Sequence, residues 1–292
     1  MMILLTGAAG KTGLAVIRSL AGKGIALRAL VRRREQIRTV QEMGAQEAVV
    51  GDMRDREEID QAIYGVKSVY HIPPNVNPDE ELIGRNVIAS ARSAGVDHFI
   101  LHSVLHPQTE AMPHHWKKLR VEEMLLESGL PFTILQPAAY MQNILTHCQK
   151  INETGIYPVP YSPETRLSMV DLDDVAQAAA IMLTENGHKG AIYELVGTEA
   201  ISQNEVATLL SQGLGRIVRA ENVPLNVWER EARASGLGDY QVETLLKMFH
   251  YYESYGFWGN SRVLSHLLGR QATSFRLFIE RTAGERKLRL KP

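Results

Sequence analysis

A doubly wound α/β fold is what this sequence predicts: a parallel sheet with helices on both faces, then a smaller, mostly helical C-terminal lobe. Three observations lead there. Short apolar runs alternate with amphipathic stretches through the first half of the 292 residues. The runs are continuous, as in Ile3-Leu4-Leu5, which suits strands covered on both sides. A glycine-rich turn follows the first run at once and leads into the first amphipathic stretch.

Strands are expected at residues 3–6, 26–31, 47–50, 68–72, 98–103 and 132–135, each short, rich in branched side chains and bounded by Gly, Asp or Pro. Between them, residues 12–23, 35–43, 56–64, 79–94 and 114–128 read as helices; Leu14, Ile17 and Leu20 give the first its apolar stripe. After Pro137 the pattern changes. Residues 155–163 read as a loop rich in Pro and Tyr, and the acidic run at 171–174 opens a helix. A strand at 192–196 precedes a helix at 202–213, where Ser202 and Glu205 form a capping box. From about Val223 onward the chain reads as mostly helical, with an aromatic-rich stretch at 249–258.

Hydrophobic residues make up 45% of the chain and charged residues 22%, with a formal net charge of -1. That balance argues against nucleic-acid or membrane-surface binding, which usually brings a basic excess. No run reaches the ~18 apolar residues of a membrane span, and Gly7 interrupts the apolar start before a signal sequence can form. The single cysteine, Cys148, excludes an internal disulfide and a cysteine-cluster metal site. A buried apolar role is expected for it, and a cytoplasmic place for the protein.

The segment Thr6-Gly7-Ala8-Ala9-Gly10-Lys11-Thr12-Gly13 stands where a strand gives way to a helix. Glycines there permit a tight turn, close approach of backbone to a pyrophosphate, and close packing of helix on strand, while the helix N-terminus attracts phosphate charge. Gly7, Ala9, Gly10, Lys11, Thr12 and Gly13 are therefore the expected phosphate contacts of a Rossmann-type dinucleotide site. The end of the second strand decides which dinucleotide. An NAD site usually places a carboxylate there for the ribose 2′-hydroxyl; this chain has Val31-Arg32-Arg33-Arg34. Guanidinium groups pair bidentately with a 2′-phosphate, and three cations before a helix oppose its dipole, so Arg32 and Arg33 are expected to select NADP(H). Asp52, after the third strand, suits the adenine amino group, or else caps the next helix, a task Asp55 fills equally well. Met53, Ile72, Pro73, Pro137 and Tyr140 adjoin strand ends and are counted with the cofactor site, since ligands of open α/β sheets gather there. For Tyr140 core packing is the competing role.

With Gly51-Asp52, Asp173-Asp174-Val175-Ala176, Tyr193-Glu194-Leu195-Val196-Gly197 and Leu267-Leu268-Gly269-Arg270, the glycine loop resembles the NmrA-like group of atypical short-chain dehydrogenases/reductases. The resemblance spans nearly the whole chain. It implies a Rossmann core with a small C-terminal lobe closing over a cleft, and a preference for NADP(H). It does not imply one activity: the group includes quinone and dye reductases, relatives of isoflavone reductase, and proteins that bind dinucleotide to sense or regulate without turnover.

Most short-chain dehydrogenases set a Tyr four residues before a Lys on one helical face, beside a Ser at the preceding strand's end. The Lys lowers the phenol pKa, so the Tyr can exchange a proton at neutral pH. Here the strand ends Leu101-His102-Ser103, and the resemblance places the retained lysine at Lys118; four residues earlier stands His114 instead of Tyr. Three readings follow: His114 replaces the Tyr as a group titrating near neutrality, the substrate needs no protein acid, or no reaction occurs. Lys118, His114 and Ser103 are the candidate catalytic residues, with Ser103 and Lys118 also expected beside the nicotinamide; His106 lies in the loop beyond. Adjacent His114 and His115 point about 100° apart on a helix and cannot chelate together, so no metal is expected.

Residues 1–150 are thus expected to form the NADP(H)-binding core, and residues 151–292 the interleaved last strands with a C-terminal substrate lobe or lid. The leading function is an NADPH-dependent reductase, monomeric or homodimeric, passing a hydride to a small, largely apolar electrophile such as a quinone. The alternative is a non-catalytic NADP(H)-binding redox sensor acting through a protein partner, which the missing Tyr suits. A sugar-nucleotide epimerase or dehydratase is disfavoured by the missing Tyr and the arginines.

Overall fold

Leu4 belongs to one apolar cluster, while its neighbours Ile3 and Leu5, equally buried, stand outside that cluster. Successive residues of a strand face opposite ways, so both faces of this strand are covered. The computed structural model describes residues 2–284. Strand and helix alternate from the start: β1 (Met2–Leu5), α1 (Lys11–Ala21), β2 (Ala26–Val31), α2 (Gln36–Glu42), β3 (Glu47–Val50), α3 (Arg56–Ile63), β4 (Ser68–His71), α4 (Glu80–Ala94), β5 (His98–His102), α5 (Pro113–Glu127) and β6 (Phe132–Pro137). There follow β7 (Ala139–Tyr140), a 3-10 turn (Met141–His147), α6 (Cys148–Thr154), β8 (Ile156–Val159), β9 (Arg166–Leu167), β10 (Met169–Val170), α7 (Leu172–Thr184), β11 (Ala191–Leu195) and β12 (Ile201–Ser202). The chain closes with α8 (Gln203–Leu214), β13 (Arg219–Asn222), α9 (Leu225–Ala234), α10 (Asp239–Tyr255), α11 (Arg262–Leu268) and α12 (Phe275–Gly284).

Seven strands form one sheet in the order β11-β6-β5-β4-β1-β2-β3, and β1 to β6 pair in parallel. This is the Rossmann-type, doubly wound arrangement that the alternation predicts. The order reverses at β1, whose neighbours are β2 on one side and β4 on the other. Ligands of such sheets bind in the crevice at this switch point, outside the strand C-termini.

Two compact units divide the chain: residues 2–110, His114–Gln136 and Val175–Tyr193 form the first, and Ala111–Pro113, Pro137–Asp174 and residues 194–284 the second. In the first, Leu4, Leu30, Val69, Phe99 and Ile134 of the sheet pack with Ile59 and Ile63 of α3, Val87 and Ile88 of α4, and Val121 and Leu125 of α5. Each such side chain contributes roughly 1.5–3 kcal/mol by leaving water.

In the second unit, Ser202 accepts from the Glu205 backbone N–H while Glu205 accepts from that of Ser202, the expected capping box of α8. The expected loop at 155–163 instead contains β8, paired in parallel with β13 over four residues. Pro158 argues against a strand locally, but a two-stranded ribbon leaves one edge unpaired, and the pairing segment lies some sixty residues away, beyond the reach of local pattern. Asp174 and Arg270, from two of the motifs quoted above, are joined: Arg270 Nη2 donates to Asp174 Oδ1 at 2.6 Å, and the Thr273 backbone N–H donates to Oδ2 at 2.6 Å. Buried Asp171 accepts from Arg281 at 2.8 Å and from Gln142 at 2.7 Å.

Candidate functional site

The turn after β1 is shaped by two glycines. Gly7 has φ +61, and a Cβ there would lie 2.6 Å from the carbonyl oxygen of Ile72; one on Gly13 would lie 2.5 Å from the carbonyl oxygens of Gly7 and Ala8. A side chain at either place would push the loop off β4 or off its own helix. Thr6 bolts the two strand ends together: its hydroxyl oxygen accepts from the Ile72 N–H at 3.0 Å and lies 2.8 Å from His71 Nδ1. Gly10 caps α1 without a side chain, and no acidic residue stands in the first turn. Gly10 and Lys11 are exposed, Ala9 is half-buried, and Thr12 is buried. The N-terminus of α1 therefore presents its N–H groups and positive dipole end to whatever lies over the turn, a fitting cradle for a pyrophosphate.

Beyond β2, the Gln36 side chain accepts from the backbone N–H groups of Arg32 and Arg33 at 3.1 and 3.0 Å, holding the basic turn in shape. Arg33 pairs with Glu35 at 3.0 Å, whereas the exposed Arg32 guanidinium makes no ion pair among the described residues. Asp55 caps α3, accepting from the N–H groups of Glu57 and Glu58, which leaves Asp52 without a capping task. Asp52 is instead clasped by Arg54 at 2.6 Å, and these hydrogen bonds hold its carboxyl down at about 2. Met53 packs against the apolar cluster, and Ile72 and Pro73 are buried after β4. In the loop that follows, Val76 is held at φ +45, and His106 in the loop after β5 at φ +53. Such conformations cost of order 1–3 kcal/mol for non-glycine residues and gather at functional sites.

Ser103, expected beside a reacting group, is buried and donates to Glu122 Oε1; Gln136 Nε2 donates to both oxygens of the same carboxylate at 3.0 Å. Burial pushes the Glu122 carboxyl up, and these bonds with the Lys118 charge pull it partly back. Lys118 is also buried, and its Nζ donates to Glu80 Oε1 at 2.5 Å. Near it stand His71, His102, His114 and His115. Desolvation first, and Lys118 second, press His71 and His102 down to about 3 and His114 to about 4. His115 is also pushed well down, although its Nδ1–H donates to the His106 carbonyl at 3.2 Å.

The expectation that His114 titrates near neutrality is therefore corrected: a buried imidazole beside an ammonium is neutral at pH 7, and a neutral imidazole is a poor proton donor. The rings of His114 and His115 touch edge to face at 4.4 Å, and no group of three metal-ligating side chains is arranged for an ion among the described residues. Sequence reasoning did not single out Glu80, Glu122, Gln136, His71 or His102. Local pattern carries no signal for them, since an acidic residue at a helix start reads as a dipole partner and only the fold shows that it turns inward.

In the second unit, Pro137 is buried and Tyr140, in β7, is half-buried and paired in parallel with β10. Of the aromatic stretch, Phe249 packs on Trp228 and Tyr161 at 4.7 and 6.1 Å, and Tyr252 stacks on Phe257. Tyr255 and Trp258 are exposed and line, with Tyr252 and Arg166, a surface groove of about 460 Å³. Cys148 is buried, which pushes its thiol pKa up and away from reactivity. No helix among the described residues is long and apolar enough to cross a membrane.

Fold and loop together define a Rossmann-type protein with a glycine-shaped turn at the sheet's switch point and a buried lysine on α5. The chain belongs to the NmrA-like family, whose profile matches residues 1–292. It is 31% identical to the NAD(P)H azoreductase of Xenophilus azovorans over 250 residues, 85% of this chain and 86% of the relative. It is 35% identical over 226 residues to the (4-alkanoyl-5-oxo-2,5-dihydrofuran-3-yl)methyl phosphate reductase of Streptomyces griseus, covering 76% and 77% of the two. The crystal structure of NADPH-dependent quinone oxidoreductase from Escherichia coli, complexed with NADPH, superimposes with a TM-score of 0.85 at 27% identity, over 97% of this chain and 100% of that one.

Proposed function

We propose that the protein is an NADPH-dependent reductase that delivers a hydride to a small, largely apolar, quinone-like electrophile. The observation that carries this is the β1–α1 cradle followed by Arg32, which makes no ion pair among the described residues, in a chain whose relatives include an NAD(P)H azoreductase and a quinone oxidoreductase, matched over 86% and 96% of their lengths. When bound, NADP(H) supplies the two electrons as hydride. Gly7, Ala9, Gly10, Lys11, Thr12 and Gly13 take the pyrophosphate, Arg32 the 2′-phosphate with Arg33 behind it, and Asp52 with Met53 the adenine end. Ile72 and Pro73 line the path to Ser103 and Lys118 at the nicotinamide end.

Hydride transfer to a quinone leaves an oxygen anion, stabilised by its ring. Such a substrate needs no tyrosine; a nearby ammonium suffices, and Lys118 is the cation the buried cluster holds. Residues 1–150 carry the cofactor in this reading and residues 151–292 the choice of substrate. The partner is a small molecule, and the lone cysteine supports a cytoplasmic place. The test is steady-state assay with NADPH and three acceptors: a quinone, an azo dye and a saturated ketone. Oxidation with the first two and none with the third supports the reading; oxidation by the ketone alone overturns it.

A further inference from the structure

Glu80 is the first residue of α4 and is only 1% exposed. The dipole of α4 does not require it there, because Glu81 stands in the same turn. Its Oε1 accepts from Lys118 Nζ on α5, thirty-eight residues away, and its Oε2 is buried with no hydrogen-bond partner among the described residues. Around Lys118 lie His71 at the end of β4, His102 at the end of β5, His114 and His115 on α5, and Glu122 one turn further along α5. The four imidazoles are neutral at pH 7. Glu122 is engaged by Ser103 and Gln136, so the direct counter-charge of Lys118 is Glu80. A buried ion pair stabilises a fold no better than an apolar pair of the same size, so its presence calls for a role other than packing.

We propose that Glu80 is a positioning residue that keeps the Lys118 ammonium protonated and fixed, so that Lys118 can give its proton to the oxygen anion of the reduced substrate. The inference rests on the reductase reading. Hydride addition reduces the quinone by two electrons to the hydroquinone monoanion; an N–H bond of Lys118 breaks as the hydroquinone O–H forms. The neutral amine then takes a proton from water. In sum, NADPH, quinone and one proton give NADP⁺ and hydroquinone.

Two full-length variants, Glu80→Gln and Glu80→Asp, test this through one readout that needs no turnover and one that does. In the first, an amine-reactive acylating reagent is applied between pH 7 and 10 and modification of Lys118 is followed by peptide mass spectrometry. Only the neutral amine reacts, so Glu80→Gln should raise the rate at Lys118 by about tenfold or more near pH 8, with Lys117 unchanged as internal control. In the second, the kcat–pH profile of Glu80→Gln should lose its high-pH side about one unit or more earlier than wild type, with KM for the quinone within about threefold. Glu80→Asp should restore most of the rate and keep Lys118 acylation near wild type, and a third variant, Glu80→Ala, carries both readouts if Glu80→Gln does not fold. Unchanged Lys118 acylation in the variant that lacks the carboxylate overturns the proposal. Altered acylation with no turnover in any variant or in wild type leaves Glu80 in place and overturns the reductase reading instead.

Discussion

A Cβ on Gly7 would stand 2.6 Å from the carbonyl oxygen of Ile72, so the first loop and the end of β4 meet with no room for a side chain between them. That closeness brings the backbone of the β1–α1 turn against the switch point of the sheet. Gly7→Ala meets both a positive φ, which costs about 1–2 kcal/mol, and that backbone contact. The variant should melt several degrees lower and bind NADPH about tenfold or more weakly, read by calorimetry and by nicotinamide fluorescence. Unchanged affinity would remove the loop from the cofactor site.

Arg32 and Arg33 should behave differently although they are neighbours. Arg33 is paired with Glu35, and Arg32 makes no ion pair within 4 Å among the described residues. Arg32→Glu should weaken NADPH by about ten- to a hundredfold and NADH by less than about threefold, whereas Arg33→Ala should cost NADPH little. Equal losses for the two cofactors would contradict the 2′-phosphate assignment.

Acidification should destabilise the first unit. His71 and His102 titrate at about 3 and His114 at about 4 in the fold, all below the ordinary 6.5. Below 6.5 the unfolded chain takes up protons that the folded one refuses, so the stability present above pH 6.5 is lost as pH falls through 5 towards 3. The loss is on the order of 1 kcal/mol per pH unit for each histidine across that window. The raised carboxyls of Glu122 and Asp171 work in the opposite sense, their protonation favouring the fold. His98, held at about 4, and His115, pushed well down, add to these three, and together the imidazoles outweigh the two carboxyls, so the melting temperature should fall steadily between pH 6.5 and pH 4.5. A melting temperature that rises over that range would show the histidines to be charged in the fold.

Legibility in the sequence followed distance along the chain. The glycine loop, the arginine turn and the Ser202–Glu205 capping box are built from residues within a few positions of one another, and each was readable. Lys118 was reached through resemblance, but its partner Glu80 is thirty-eight residues away, and Ser103 and Glu122 are nineteen apart. Spacing of that kind encodes no period, and burial decides the chemistry: the same imidazole that titrates near neutrality in water is neutral inside the Lys118 cluster. The β8–β13 ribbon was missed for the same reason, with Pro158 pointing the other way locally.

His114 and Lys118, one helical turn apart, separate two accounts of the proton. An acid at His114 would make His114→Gln lose about a hundredfold or more in kcat. The structure instead expects a loss under about tenfold there and the large loss in Lys118→Met, both read from steady-state rates with NADPH and a quinone.

In the second unit, Asp174→Ala would remove the buried carboxylate that accepts from Arg270 and from the Thr273 backbone N–H. The loss should be about 1–3 kcal/mol, since Arg270 is partly exposed to water, and it is visible as an earlier urea transition. A midpoint within error of wild type would show that the junction between α11 and α12 does not depend on that carboxylate.

Hydride transfer itself is read by loading the protein with NADPH under anaerobic conditions, mixing it with a small apolar quinone, and following nicotinamide absorbance through a single turnover. That absorbance should fall rapidly in wild type and about a hundredfold or more slowly in Lys118→Met. Tight binding of NADPH with no oxidation by any quinone or azo dye would contradict the reductase reading, and would turn attention to a protein partner that reads the bound dinucleotide.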